Sequence, residues 1–316
     1  MRHEGWRARR GAARLGTLTM HRVDIKIGFA CNNRCTFCVQ GDKREHEPPR
    51  ALERIIADLR VARAGGAQGV VFTGGEPTLQ PTLLAAVRAA SALGFGTIQV
   101  QTNGRRLAYR DYCEALIEAG ANEFSPALHG ARAETHDAHT GAAGSYAQTL
   151  AGIANLVALG QTVITNSVVT ARNGSELPEL ARLLVEAGVA QFQFAFVHIL
   201  GTAAQNRAWI VPRKSDVLPF VHAGLEVGRR AGVRSYTEAI PLCLMTGYEE
   251  HVAERIIPST LIFDGERVVD DYTAYRRDEG KAKGPACPPC RSFGLCEGPW
   301  REYPQLFGWD EFRPIV

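Results

Sequence analysis

From residue 21 onward, short apolar runs of strand character alternate with longer runs of helical spacing. This alternation restricts the fold more than any other feature. Residues 23–29, 69–73, 97–101, 122–128, 163–170 and 191–199 read as strands. Residues 52–64, 82–93, 109–119, 145–159, 176–187 and 214–231 read as helices. Gly94, Gly120, Gly160, Gly188 and Gly232 follow helix ends closely, in keeping with left-handed caps. Six successive strand–helix units predict a parallel sheet with right-handed crossovers. A closed barrel of this type needs eight units. The expected fold is therefore α/β, an open partial (β/α)6 barrel over residues 21–232. In such folds chemistry gathers at the C-terminal ends of the strands. After about Val233 the alternation stops. Residues 233–316 are rich in Pro, aromatics and charge, and are expected to form a small metal-stapled domain. Residues 1–20 are Arg-rich without amphipathic periodicity and read as a disordered arm.

The eight cysteines are grouped. Cys31, Cys35 and Cys38 follow the first expected strand, and Cys287, Cys290 and Cys296 lie near the end. Cys113 and Cys243 stand between them. A small secreted disulfide scaffold does not look like this. The first residues lack the apolar core of a secretory signal, and no apolar run is long enough to span a bilayer. A cytoplasmic location is therefore expected, with no membrane partner and few disulfides. The chain is 45% hydrophobic and 22% charged, which suits a folded domain. A net charge of +3 lacks the basic excess of a nucleic-acid binder, so no such partner is expected. Short gaps let several thiolates converge on one centre, and soft thiolates select zinc, copper(I) or iron–sulfur clusters. Each trio is one ligand short of the four irons of a 4Fe–4S cube.

Cys31-x3-Cys35-x2-Cys38, with Phe37 before the last cysteine, resembles the signature of radical S-adenosylmethionine (SAM) enzymes. Other segments follow in that superfamily's order. Thr73-Gly74-Gly75-Glu76-Pro77 resembles its GGEP segment, and Gln101-Thr102-Asn103-Gly104 its TNG strand ending. Leu128-His129-Gly130, Glu134-Thr135-His136-Asp137 and Thr140-Gly141 resemble a frequent fourth-strand pattern. A zinc site would explain the first motif but not the ordered set. The resemblance implies a 4Fe–4S cluster on Cys31, Cys35 and Cys38, with one iron open to the methionine moiety of SAM. Reductive cleavage of SAM would then yield a 5′-deoxyadenosyl radical that takes a substrate hydrogen. It further implies that Phe37 shields the cluster and that Gly74 and Gly75 admit the methionine amine, supported by Glu76 beside Pro77. Thr102 and Asn103 are carried over as cofactor contacts. The fourth strand departs from the pattern, with Ala127 where a ribose-binding Ser often stands. Ser125, Asn166 and Ser167 are candidates for that contact, with strand packing as the alternative. His198, ending the sixth strand, faces cofactor or substrate, or else packs.

Cys287-x2-Cys290-x5-Cys296 resembles the cysteine block of SPASM and Twitch extensions in the same superfamily. With Cys243 as fourth ligand, the resemblance implies one fully ligated auxiliary 4Fe–4S cluster. Alternatives are a zinc ion on the same thiolates, or a cluster with one open iron and Cys243 free. Cys113 reads as core. His136 and His139 read as loop and helix-entry residues. Trp300, Tyr303, Phe307, Trp309 and Phe312 are expected mainly to cover the auxiliary cluster, or else to wall a substrate cavity. Arg276, Arg277, Lys281 and Lys283 read as a solvated face, or as an anchor for an anionic substrate.

These features imply a radical SAM enzyme that oxidatively modifies a peptide or natural product. Its reductant would be a flavodoxin or ferredoxin, and a separate leader-peptide-binding protein could serve as partner. A small-metabolite dehydrogenase or epimerase, acting on a sugar or aminocyclitol, is the alternative within the superfamily. A non-enzymatic iron–sulfur carrier or zinc-stabilised module is the alternative outside it.

Overall fold

The computed structural model describes residues 21–316; the expected arm over residues 1–20 lies outside the described residues. Strands β1 (Arg22–Lys26), β2 (Gly69–Thr73), β3 (Thr97–Thr102), β4 (Glu123–Pro126), β5 (Thr162–Val169) and β6 (Gln191–Phe196) alternate with helices as expected. The long helices are Leu52–Ala64, Leu83–Ala92, Arg110–Glu118, Ser145–Ala158, Leu177–Glu186 and Lys214–Ala231. The last ends on Gly232 at φ 68°, a left-handed cap that glycine adopts without a Cβ penalty.

Three further strands were not legible in the sequence: β7 (Arg234–Glu238), β8 (Thr260–Asp264) and β9 (Arg267–Val269). They complete one nine-stranded sheet in the order β7-β6-β5-β4-β3-β2-β1-β8-β9. Every neighbouring pair is parallel except the β8–β9 hairpin. The sheet forms an open, partial barrel. Residues beyond 233 thus supply strands to both flanks of the sheet as well as the cysteine-rich stretch. No helix of their own follows β7 or β8 in the expected rhythm, so the alternation that marked the first six strands is missing.

The register puts Val23, Val70, Ile98 and Ile25, Phe72, Val100, Phe124, Val163 on one face, in the buried core with Ile55 and Leu59. Strand residues alternate faces. The opposite face carries Arg22, Asp24, Gln99, Glu123, Ser125, Asn166, Gln193 and Glu238, with Val71, Ile164 and Ile262 among them, and is largely polar. Among the described residues no helix is long and apolar enough to cross a membrane.

Candidate functional site

Cys31, Cys35 and Cys38 lie half-buried, none of them in a disulfide, on the loop that leaves the C-terminal end of β1. The Asn33 N–H donates to the Cys31 Sγ at 3.4 Å. Burial pushes the Cys31 and Cys35 thiols up, and the neighbouring cysteines add to this. A bound cation would favour their thiolates instead.

The turn after β2 fastens this loop from below. The Gly75 N–H donates to the Gly28 carbonyl and the Glu76 N–H to that of Ala30, both at 2.8 Å. A Cβ on Gly74 would stand 2.1 Å from the Gly28 oxygen, and one on Gly75 2.1 Å from that of Phe29. Gly74 also sits at φ +137°. The close approach these glycines permit here is thus to the chain's own backbone. Glu76 is 1% exposed. Its Oε1 accepts from the Thr78 N–H at 3.0 Å, the Thr78 hydroxyl at 2.6 Å and the Thr102 hydroxyl at 2.5 Å. Its Oε2 accepts the Asn103 N–H at 2.6 Å. Burial pushes the Glu76 carboxyl up, while these donors hold it down. Pro77 opens the short turn Pro77–Leu79.

The Asn103 amide donates to Asn32 at 2.6 Å, closing the path from β3 back to the cysteine loop. Arg105, which the sequence reading missed, donates to the Asn32 carbonyl at 2.6 Å and the Asn33 side chain at 3.0 Å. Its place directly after the TNG segment was the available signal. The loop is also held from the far side. The Arg34 and Thr36 N–H groups donate to Thr140 and His139 carbonyls at 2.7 and 2.9 Å, and the Thr202 N–H donates to the Cys38 carbonyl at 2.9 Å.

The Phe37 ring packs inward, 4.7 Å from the His129 ring and 5.7 Å from that of His139. His136 and His139 lie buried within a helix, Ala133–Thr140, rather than in a loop. His139 bridges the Thr135 carbonyl and the Thr170 hydroxyl, both at 2.7 Å. The His136 Nδ1 accepts the His129 N–H at 3.0 Å. Burial holds all three imidazoles below their usual range.

Ser125 is buried on β4, and the Asn166 Oδ1 on β5 is buried without a hydrogen-bond partner. Ser167 instead faces the core and donates to the Leu128 carbonyl at 2.5 Å. His198 follows β6 and stacks on Trp300, with ring centroids 3.8 Å apart. Its Nε2 lies 3.8 Å from a Glu302 oxygen, and burial holds its imidazole down to about 4.

Cys243, Cys287, Cys290 and Cys296 line one small pocket, together with Trp309 and Phe312. Burial, then the other three thiols, pushes Cys243 up to about 12. Four free soft donors around one cavity suit a thiolate-bound metal group. Among the described residues no three His, Cys, Asp or Glu side chains gather as ligands of a single ion. The aromatic tail divides. Trp309 and Phe312 reach the cysteine cavity, Trp300 covers His198, and Tyr303 packs on Phe196. Cys113 is core, its thiol donating to the Leu107 carbonyl at 3.1 Å. The expected solvated face is corrected in part. Arg277 is exposed, but the Arg276 and Lys281 side chains are 0% and 1% exposed and paired with Glu297 and Glu254.

Among curated proteins, the chain is 30% identical over 178 residues to a probable GTP 3′,8-cyclase of Saccharolobus solfataricus, covering 56% of this chain and 57% of that one. It is 31% identical over 196 residues to the PqqA peptide cyclase of Methylobacterium nodulans, covering 61% and 50%. The chain thus spans about half the length of these relatives. Among solved structures, Streptococcus suis SuiB bound to S-adenosylmethionine superposes with a TM-score of 0.68 at 16% identity, covering 89% of this chain and 73% of SuiB. SuiB bound to its precursor peptide SuiA gives a TM-score of 0.66 at 16% identity, covering 84% and 63%. At such identity these structures speak to the fold alone. The model of the Radical SAM superfamily matches residues 25–184, a span that holds the cysteine loop, the Gly74–Pro77 turn and the Asn103 tether. That match takes in half of the 316 residues, and the chain belongs to the radical SAM superfamily.

Proposed function

We propose that this chain is a radical SAM enzyme that oxidatively modifies a peptide. The observation that carries the reading is the tethering of one three-cysteine loop to the ends of β2 and β3 through Glu76 and Asn103. Three soft thiols on one loop suit a 4Fe–4S cluster with one open iron, and Cys31, Cys35 and Cys38 would hold it. When bound, that cluster and SAM supply a 5′-deoxyadenosyl radical able to take a hydrogen atom from the substrate. The chain's own part is to hold the loop rigid and to present polar groups at the barrel mouth. Ser125 and Asn166 offer hydrogen bonds to SAM, with the unpaired Asn166 Oδ1 ready to accept one, while Thr102 and Asn103 serve the site through Glu76 and Asn32. His198, stacked flat on Trp300, borders the substrate.

Cys243, Cys287, Cys290 and Cys296 would hold an auxiliary 4Fe–4S cluster, which supplies an acceptor for the electron released in a net oxidation. A peptide substrate is supported by the likeness to a peptide cyclase and by the fold shared with SuiB, which was solved with its precursor peptide. The likeness to GTP 3′,8-cyclases favours a small-molecule substrate as the second reading. A flavodoxin or ferredoxin would be the reductant, and a separate leader-binding protein would present a peptide.

The test is anaerobic reconstitution with iron and sulfide, reduction, and assay of 5′-deoxyadenosine. The expected result is SAM cleavage with about eight irons per chain, falling to about four in a Cys287→Ala/Cys290→Ala variant. A fully loaded protein that cleaves no SAM with any reductant overturns the enzymatic reading. Zinc in place of the second four irons overturns the auxiliary cluster.

A further inference from the structure

Arg276, Lys281, Glu254 and Glu297 form a buried ion-pair cluster. Arg276 grips Glu297 through two hydrogen bonds of 2.6 and 2.8 Å. The Lys281 ammonium pairs with Glu254 and lies 3.3 Å from Glu297. Glu254 Oε1 also accepts the Ala239 N–H at 2.7 Å, while its second oxygen is buried without a partner. Such a cluster is a poor device for stability alone, because apolar replacements of buried ion pairs are often neutral or stabilising.

Its position points elsewhere. Lys281, Glu254, Glu297 and Cys296 line a second small cavity. Pro241, Leu242, Cys296 and Gly298 line both this cavity and the four-cysteine one, so the ion pairs stand directly behind Cys296. The backbone fixes Lys281 there. The Ala282 N–H donates to the Pro299 carbonyl and the Arg301 N–H to that of Gly280, both at 3.0 Å. The ammonium also lies 5.1 Å from the centroid of the Trp300 ring on which His198 stacks.

We propose that Lys281 sets the reduction potential of the group held by Cys243, Cys287, Cys290 and Cys296, by balancing the Glu254 and Glu297 carboxylates behind Cys296. This rests on the auxiliary-cluster reading above. One-electron reduction adds one negative charge to a four-thiolate centre and moves no proton. Two fixed carboxylates oppose that charge, and a paired cation offsets them at short range in a low-dielectric setting. Arg276 answers Glu297. Lys281 answers chiefly Glu254, so its loss leaves one uncompensated negative charge beside the centre.

The full chain with Cys31, Cys35 and Cys38 all changed to Ala, reconstituted anaerobically, isolates the second centre. Its potential is read by titration against a mediated reductant, with the reduced centre followed by electron paramagnetic resonance. Lys281→Met is expected to lower the reduced-to-oxidised ratio at fixed potential about tenfold, ~59 mV for one electron. Glu254→Gln is expected to raise it. The Lys281→Met/Glu254→Gln pair is expected to return near the parent, and Lys281→Arg to retain the parent value. A merely structural role would not produce opposite shifts that cancel. Should Lys281→Met fail to fold, Glu254→Gln and the neutral double variant decide the matter. A four-iron centre whose potential ignores these charges overturns the proposal. A triple-Ala chain that binds no iron, or binds zinc, overturns the auxiliary-cluster reading itself and this proposal with it.

Discussion

The buried carboxylate of Glu76 accepts the backbone N–H of Asn103 at 2.6 Å, and the Asn103 side chain donates in turn to Asn32 at 2.6 Å. One acidic group on the turn after β2 thereby positions the turn after β3, which reaches back to the loop bearing Cys31, Cys35 and Cys38. Burying a carboxylate is unfavourable unless donors surround it, and Glu76 collects donors on both oxygens.

Glu76→Gln keeps the shape of the side chain but turns an amide N–H₂ toward groups that donate. Leaving buried donors unsatisfied costs about 1–3 kcal/mol each. The expected result is a melting midpoint roughly 2–5 °C lower in the apo protein, with less iron retained on reconstitution. An unchanged melt together with full iron loading would contradict the role given to this carboxylate.

Gly75→Ala places a Cβ against the Phe29 and Ala30 carbonyls, which are backbone and unable to rotate away. The β1 loop must move instead. Reconstituted protein should lose about half of roughly eight irons while keeping its far-ultraviolet circular dichroism. Retention of all the iron would show that the loop has slack the geometry denies.

Acid should loosen the support behind the cysteine loop. Burial holds the His136 imidazole at about 4 in the folded chain against 6.5 as its ordinary value. The unfolded chain therefore binds the proton first. Stability is highest above pH 6.5 and is lost as the pH falls from 6.5 toward 4, by about 3 kcal/mol from this residue. His129 and His139 are shifted in the same direction. Thermal melts of the apo protein between pH 7.5 and 4.5 should show a steady decline. A flat profile over that interval would remove the histidines from this role.

Cys113→Ala and Cys287→Ala should separate the two kinds of cysteine. The first removes a small buried group that donates to the Leu107 carbonyl, at a cost of about 1 kcal/mol, and leaves the iron content intact. The second should reduce the iron content without a comparable core defect. Iron lost from the Cys113 variant at unchanged stability would make that residue a ligand.

Much of the barrel was legible because strand and helix periodicities are written within a few consecutive residues. The expected 52–64, 69–73 and 214–231 match Leu52–Ala64, Gly69–Thr73 and Lys214–Ala231 to the residue. The Gly74–Glu76 and Thr102–Asn103 segments were marked by order along the chain, and the structure brings them together with Asn32. Arg105 was missed because its place directly after the TNG segment marks the position but not whether the guanidinium will find a loop carbonyl or stay in water.

The sequence by itself determined the parallel α/β pattern, the loop carrying three cysteines at a strand end, and the grouping of the last three. Each of these rests on spacing between near neighbours in the chain. Tertiary structure alone decided that β8 lies beside β1, with Arg22 opposite Thr260. It also turned the Phe37 ring inward onto His129 and took Arg276 and Lys281 out of water. Pairing across a sheet and the burial of charge depend on partners remote in sequence. An ion such as Lys281 leaves solvent only where the fold delivers a counter-charge, here Glu254 and Glu297.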